Sequence, residues 1–147
     1  MRPFLLAFWM AIAVPAAAMA AGVKLYDFDG DFDDAVFGVE SAIIDRGLVV
    51  DYVSHVGEML ERTKGDVGAS KTLFAQANVY LFCSAVLSRK MMEADPLNIA
   101  HCPYGVFVTE AGDGSGKVQI GYRQMPDGPM KEVEALLDDI AREAAGE

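Results

Sequence analysis

The apolar positions of this chain change period as the sequence is read, alternating in some stretches and recurring every three to four residues in others. Val23–Phe28 (VKLYDF) alternates and predicts a first strand. Phe32, Val36, Val39 and Ile43 then share one helical face, Asp31 stands where a cap is needed, and Asp33 and Asp34 put negative charge in the first turn, where the helix dipole favours it. Gly47 predicts the stop. Residues 48–54 (LVVDYVS) predict a second strand with His55 at its end, and residues 56–64 a short amphipathic helix with Glu58 and Arg62 paired one turn apart. Residues 65–78 show no period, and Leu73, Phe74 and Ala75 read as a helical turn packed on the sheet.

The second half is more regular. Residues 79–82 are a continuous apolar run, a buried strand, and residues 84–94 predict a helix with Val86, Leu87, Met91 and Ala94 inward and Ser88, Arg89 and Lys90 outward. Asp95-Pro96 ends it. Residues 104–110 and 117–123 are strands around the glycine-rich turn 112–116, a hairpin, and Met130, Val133, Leu137, Ile140 and Ala144 form the buried stripe of a last helix that begins near Pro129. Strands interleaved with helices, then a hairpin and a helix, predict an α+β fold. It takes the form of a two-layer α/β sandwich, a mixed sheet of about five strands with helices on one face.

The first twenty residues obey a different rule. Arg2 precedes the apolar run 4–14, which is short for a membrane span, Pro15 breaks it, and Ala18-Met19-Ala20 suits a signal-peptidase cut after Ala20. Residues 1–20 therefore read as a signal peptide and residues 21–147 as a single domain large enough for its own core. Removing the leader, which holds one arginine and no acid, takes the formal charge from −10 to −11. Such acidity, with no basic cluster, argues against nucleic acid. Nothing after Gly22 is apolar enough for a membrane span. The short alanine-rich leader points to a bacterial periplasmic or secreted protein.

Export changes how the two cysteines read. Cys83 lies at a predicted strand end and helix mouth, where first-turn amides would favour a thiolate, and Cys102 precedes Pro103 at the start of the next strand. Outside the cytoplasm such a pair suits a structural disulfide, closing a loop of about 20 residues and worth roughly 3 kcal/mol. Three other readings stay open. One is a redox-active pair with Cys83 attacking, Cys102 resolving, and His101 and Ser84 as auxiliary groups. Another is a soft-metal site, Cu(I) for example, drawing on Cys83, Cys102, His101 and Met91 or Met92. The last is two free thiols without a role. The Cys-x-x-Cys redox spacing is absent.

Other chemistry is disfavoured. Asp27, Asp29, Asp31, Asp33 and Asp34 resemble a calcium loop, but Gly38 stands where the closing glutamate belongs. The turn 112–116 joins two strands, unlike a phosphate loop, which opens a helix. Ser84 and Ser88 have no glycine-flanked nucleophile elbow of the hydrolase kind, and His55 reads as a solvated or hydrogen-bonded side chain. The expectation is a binding or accessory module more than an enzyme, without a cofactor, whose partner is a small molecule or a periplasmic protein.

Asp45-Arg46-Gly47, Phe82-Cys83, Ala94-Asp95-Pro96 and Cys102 followed by the strand at Val106–Glu110 together resemble the bacterial and archaeal family called domain of unknown function 302. The resemblance spans residues 32–126. Members often carry Asn-Pro after the first cysteine. Here Ser84-Ala85 stands in that place, and Pro103 follows the second cysteine instead. The resemblance implies a compact α/β domain able to form a homodimer. It implies no activity, although some members accompany sulfur or redox metabolism.

Overall fold

The computed structural model describes residues 22–147, so the signal peptide and the cut after Ala20 lie outside the described residues. In chain order the elements are β1 (Val23–Phe28), α1 (Phe32–Asp45), β2 (Val50–Ser54), α2 (Val56–Thr63), β3 (Phe74–Phe82), α3 (Ala85–Ala94), a 3-10 helix (Pro96–His101), β4 (Tyr104–Ala111), β5 (Val118–Arg123) and α4 (Lys131–Ala145). None of the described helices is long and apolar enough to cross a membrane.

The five strands form one sheet in the order β1-β5-β4-β3-β2, and every neighbouring pair is antiparallel. The expected mixed sheet is thus corrected to an antiparallel one, while the α+β class stands. β1 and β2 run in the same direction but occupy opposite edges, and α1 passes beneath the sheet between them. A parallel pair would need them to be neighbours; three strands separate them instead.

α1 and α4 pack on each other and on one face of the sheet. The helices supply Val39, Ile43, Val133, Leu137 and Ile140, all fully buried, and the strands answer with Tyr80, Phe82, Val106, Val108 and Ile120. α1 starts as its sequence dictates, with the Asp31 carboxylate accepting from the Asp34 amide at 2.9 Å. It ends where Gly47 adopts φ +70, a left-handed conformation that glycine enters without steric cost. The apolar stripe of α4 is buried along its length. One polar residue breaks it: Asp138, between Leu137 and Ile140, accepts from the hydroxyls of Tyr26 (2.5 Å) and Tyr122 (2.6 Å) on one carboxylate oxygen.

Two segments depart from the pattern-based expectation. Phe74 begins β3 instead of a helical turn, because residues 74–78 continue the ladder with β4 past the point where β2 stops. There α2 packs beside β3, and Gly57 makes this close approach possible, since a Cβ on it would lie 2.6 Å from the Ala77 amide nitrogen. In α2 the ion pair is Glu61 with Lys64, joined by Thr72, not Glu58 with Arg62.

The opposite face of the sheet carries no described helix from the α1–α4 layer. Its register sets two rows side by side. Leu25, Gly121, Phe107, Val79 and Ser54 face one another across all five strands, and the adjacent row holds Val23 with Arg123 and Gly105 with Leu81 and Tyr52.

Candidate functional site

The end of β3, the first turns of α3 and the start of β4 meet at one corner of the sheet. The last ladder pair there is Phe82 with Tyr104, whose rings pack edge to face at 6.5 Å and 74°. That contact sets where the chain leaves β3 at Cys83 and enters β4 after Cys102. It places the two thiols near enough for Cys102 to act on the titration of Cys83. Cys83 is exposed and Cys102 half-buried, and both are free thiols. The structural disulfide that the export argument favours is therefore not formed here.

A short polar chain continues inward from Cys102. Its sulfur lies 3.6 Å from the Ser88 hydroxyl, which donates in turn to the Tyr104 hydroxyl at 3.2 Å. Burial first, then the Cys102 sulfur and the Asp51 carboxylate, push the Cys83 thiol above its ordinary range, against the opposing backbone amide of Tyr104. Burial and the two sulfurs likewise push Tyr104 up to about 12, against the Ser88 hydrogen bond.

These directions correct the expectation of a thiolate held at a helix mouth. The cap of α3 is Ser84, one residue beyond Cys83, and its hydroxyl accepts the Leu87 amide at 3.3 Å. Ser84 thus serves the helix rather than the sulfurs. Ser84→Ala is expected to cost about 1 kcal/mol, as cap removals do, with no change in the rate at which Cys83 reacts with a small disulfide. Denaturant unfolding and a thiol-reaction trace check the two halves.

The remaining candidates are placed elsewhere. Met91 is 1 % exposed and belongs to the core. His101 ends the 3-10 helix and lines a hollow on the open face of the sheet. Among the described residues no three of histidine, cysteine, aspartate and glutamate gather into a set that could hold a metal ion, so His101 does not complete a ligand trio with the two sulfurs. His55 is hydrogen-bonded through Nδ1 to Asn78 at 2.9 Å, and the Asn78 amide donates to the Tyr80 hydroxyl at 3.3 Å.

Ser88 and Tyr104 complete the thiol corner, and neither stands out in the sequence. Ser88 sits among the charged residues Arg89 and Lys90 and reads as outward, whereas Val86, read as inward, is 78 % exposed. The helix is turned relative to its apolar pattern because it packs at a corner, where only Met91 is fully enclosed. The one signal available was that Ser88 lies four residues from Ser84 on the same helix face.

Among curated proteins none matches the sequence. Among solved structures the fold is similar to the crystal structure of an uncharacterized conserved DUF302 protein from Bacillus stearothermophilus. The two are 16% identical, with a TM-score of 0.59 over 86% of this chain and 95% of that one. The sequence profile of the domain of unknown function DUF302 matches residues 26–145, which takes in every element but the start of β1, and so includes both cysteines. The chain belongs to the DUF302 family.

Proposed function

We propose that the mature chain is an exported, periplasmic binding or accessory module rather than an enzyme, and that Cys83 and Cys102 close to a disulfide outside the cytoplasm. The observation that carries this reading is that Cys83 and Cys102 flank one ladder rung, buried Phe82 with Tyr104, so that Cys102 acts on the titration of Cys83. Closure removes two protons and two electrons from the pair, and a disulfide-bearing oxidant takes both electrons and is reduced to its dithiol. The raised Cys83 thiol supports the accessory role. A thiol held in its neutral form is a slow nucleophile at neutral pH, unsuited to turnover but no obstacle to a bridge formed once.

A second reading has one observation in its favour. Cys83 is exposed while Cys102 is half-buried, the division of labour of an attacking and a resolving sulfur in a thiol-redox or sulfur-handling protein. A free-thiol count by mass spectrometry on the exported protein, repeated across a graded redox buffer, separates the two. The expected result is a bridged protein whose potential lies below about −300 mV, the mark of a structural disulfide. A bridge that opens at a milder potential would give the function to the sulfurs. Reduced thiols carrying copper would favour a soft-metal role.

We also propose that the domain forms a homodimer, as the family resemblance implies. Sedimentation of the exported protein tests it.

A further inference from the structure

The open face of the sheet holds a hollow of about 330 Å³, inside the range of roughly 300–1,000 Å³ that small-molecule sites occupy. Its bed is apolar, made by Val23, Val79, Leu81, Phe107 and Met125. Gly105 keeps it open. A Cβ there would lie 3.1 Å from Leu81 Cδ2 and 3.5 Å from Val79 Cγ1, so any larger side chain would fill the space between those two residues and the wall beyond. That wall is Phe107, whose ring lies over Gly121 on the neighbouring strand, where a Cβ would meet its Cζ at 2.5 Å. Two glycines on adjacent strands thus shape an apolar trough on a surface that is otherwise a flat sheet.

Two nitrogen-bearing side chains line the same trough, Arg123 at the end of β5 and His101 at the end of the 3-10 helix, and no carboxylate does. Among the described residues Arg123 has no carboxylate within ion-pair distance. In a chain with 22 acids and 12 lysines and arginines, an arginine beside an apolar trough without an acidic neighbour leaves a planar, forked donor facing a space that suits an anion.

We propose that this trough binds a small carboxylate with an apolar body, of the fatty-acid type. Its chain lies against Leu81, Gly105 and Phe107, and its carboxylate takes the fork of Arg123 together with a ring N–H of His101. The overall negative charge of the protein slows the approach of such an anion. It does not cancel the pairing, because charges more than about 8–10 Å away are screened at physiological salt. The proposal rests on the reading of the chain as a binding module and is independent of the state of Cys83 and Cys102.

The test is calorimetric titration of the full exported protein with decanoate, with decanol and decylamine as neutral and cationic counterparts. One decanoate per chain is expected. Arg123→Gln, at an exposed position, should weaken decanoate by at least about tenfold, about 1.4 kcal/mol, and leave decanol unchanged. Gly105→Val should weaken both, and unfolding midpoints confirm that each variant is folded. Decanoate binding no tighter than decylamine, or unaffected by Arg123→Gln, overturns the proposal. So does a dimer in sedimentation that takes up no decanoate, which would assign the trough to a second copy of the chain. Loss of decanoate binding with the thiol titration as expected removes the ligand and leaves the accessory role, whereas the reverse pattern removes the bridge and leaves the ligand.

Discussion

Phe82→Ala is expected to cost about 3–5 kcal/mol, the range for emptying a fully buried aromatic site. Phe82 is 0 % exposed, closes the last rung of the β3–β4 ladder and holds Tyr104 edge-on. Loss of the ring therefore leaves a void directly beneath the thiol corner. The same variant should loosen the placement of Cys83 beside Cys102, so that bridge formation slows even where the protein remains folded. Urea unfolding measures the first effect, and the rate of thiol loss in an oxidised glutathione buffer measures the second. A large stability loss with an unchanged closure rate would show that the pair is placed by α3 and the 3-10 helix, not by the ladder.

The second large effect lies at Asp138. Its carboxylate accepts from two tyrosines that are 6 % and 2 % exposed, and Asp138→Ala strands both hydroxyls. At roughly 1–3 kcal/mol for each buried donor left unpaired, a loss of about 2–6 kcal/mol is expected. The pH dependence carries a sign that can be checked. Burial alone would raise the Asp138 carboxyl, but the hydrogen bonds from Tyr122 and Tyr26, with help from Arg142 and Lys24, outweigh it and hold it below the ordinary aspartate value of 3.8. The stability that this carboxylate contributes is therefore present above about pH 4 and is lost as pH falls through its depressed folded value. The gap between wild type and Asp138→Ala should narrow as the solution is acidified below pH 4. At the other end, burial and then Asp138 push Tyr26 from 10.0 to about 12. Its raised value means that its contribution is intact below pH 10 and lost as pH climbs through 12. Urea unfolding at several pH values, run on both proteins, tests all three statements.

Much of this architecture was legible in the sequence because it is encoded locally. The alternation at Val23–Phe28, the Asp31 cap, the hairpin around residues 112–116 and the buried stripe of α4 each depend on neighbours within a turn or a strand. What could not be read depends on partners far along the chain. The direction of the strands follows from β1 pairing with β5, a choice made a hundred residues away and invisible in either strand. The opening of β3 was hidden because α2 and β4 flank it, so Gln76 and Asn78 sit in a half-covered edge with no clean period. Asp138 looked like one acid among 22, and only the arrival of Tyr26 and Tyr122 gives it a role. In the candidate site, Cys83 and Cys102 were legible as a pair by residue type and export context. Ser88 and Tyr104 were not, because a serine beside two cations and a tyrosine in a strand are ordinary there. His101 was set with the sulfurs by proximity in sequence, but the 3-10 helix turns it toward the trough instead.

The pairing of β1 with β5 also has a consequence in time. Strands β3, β4 and β5 are joined in succession, so their contacts close short loops and form cheaply as soon as they are made. β1 is synthesised first, yet its ladder runs from Val23 with Arg123 to Phe28 with Val118. A growing chain therefore carries its earliest strand without a partner until nearly all of the domain exists. The sheet closes last at the end made first.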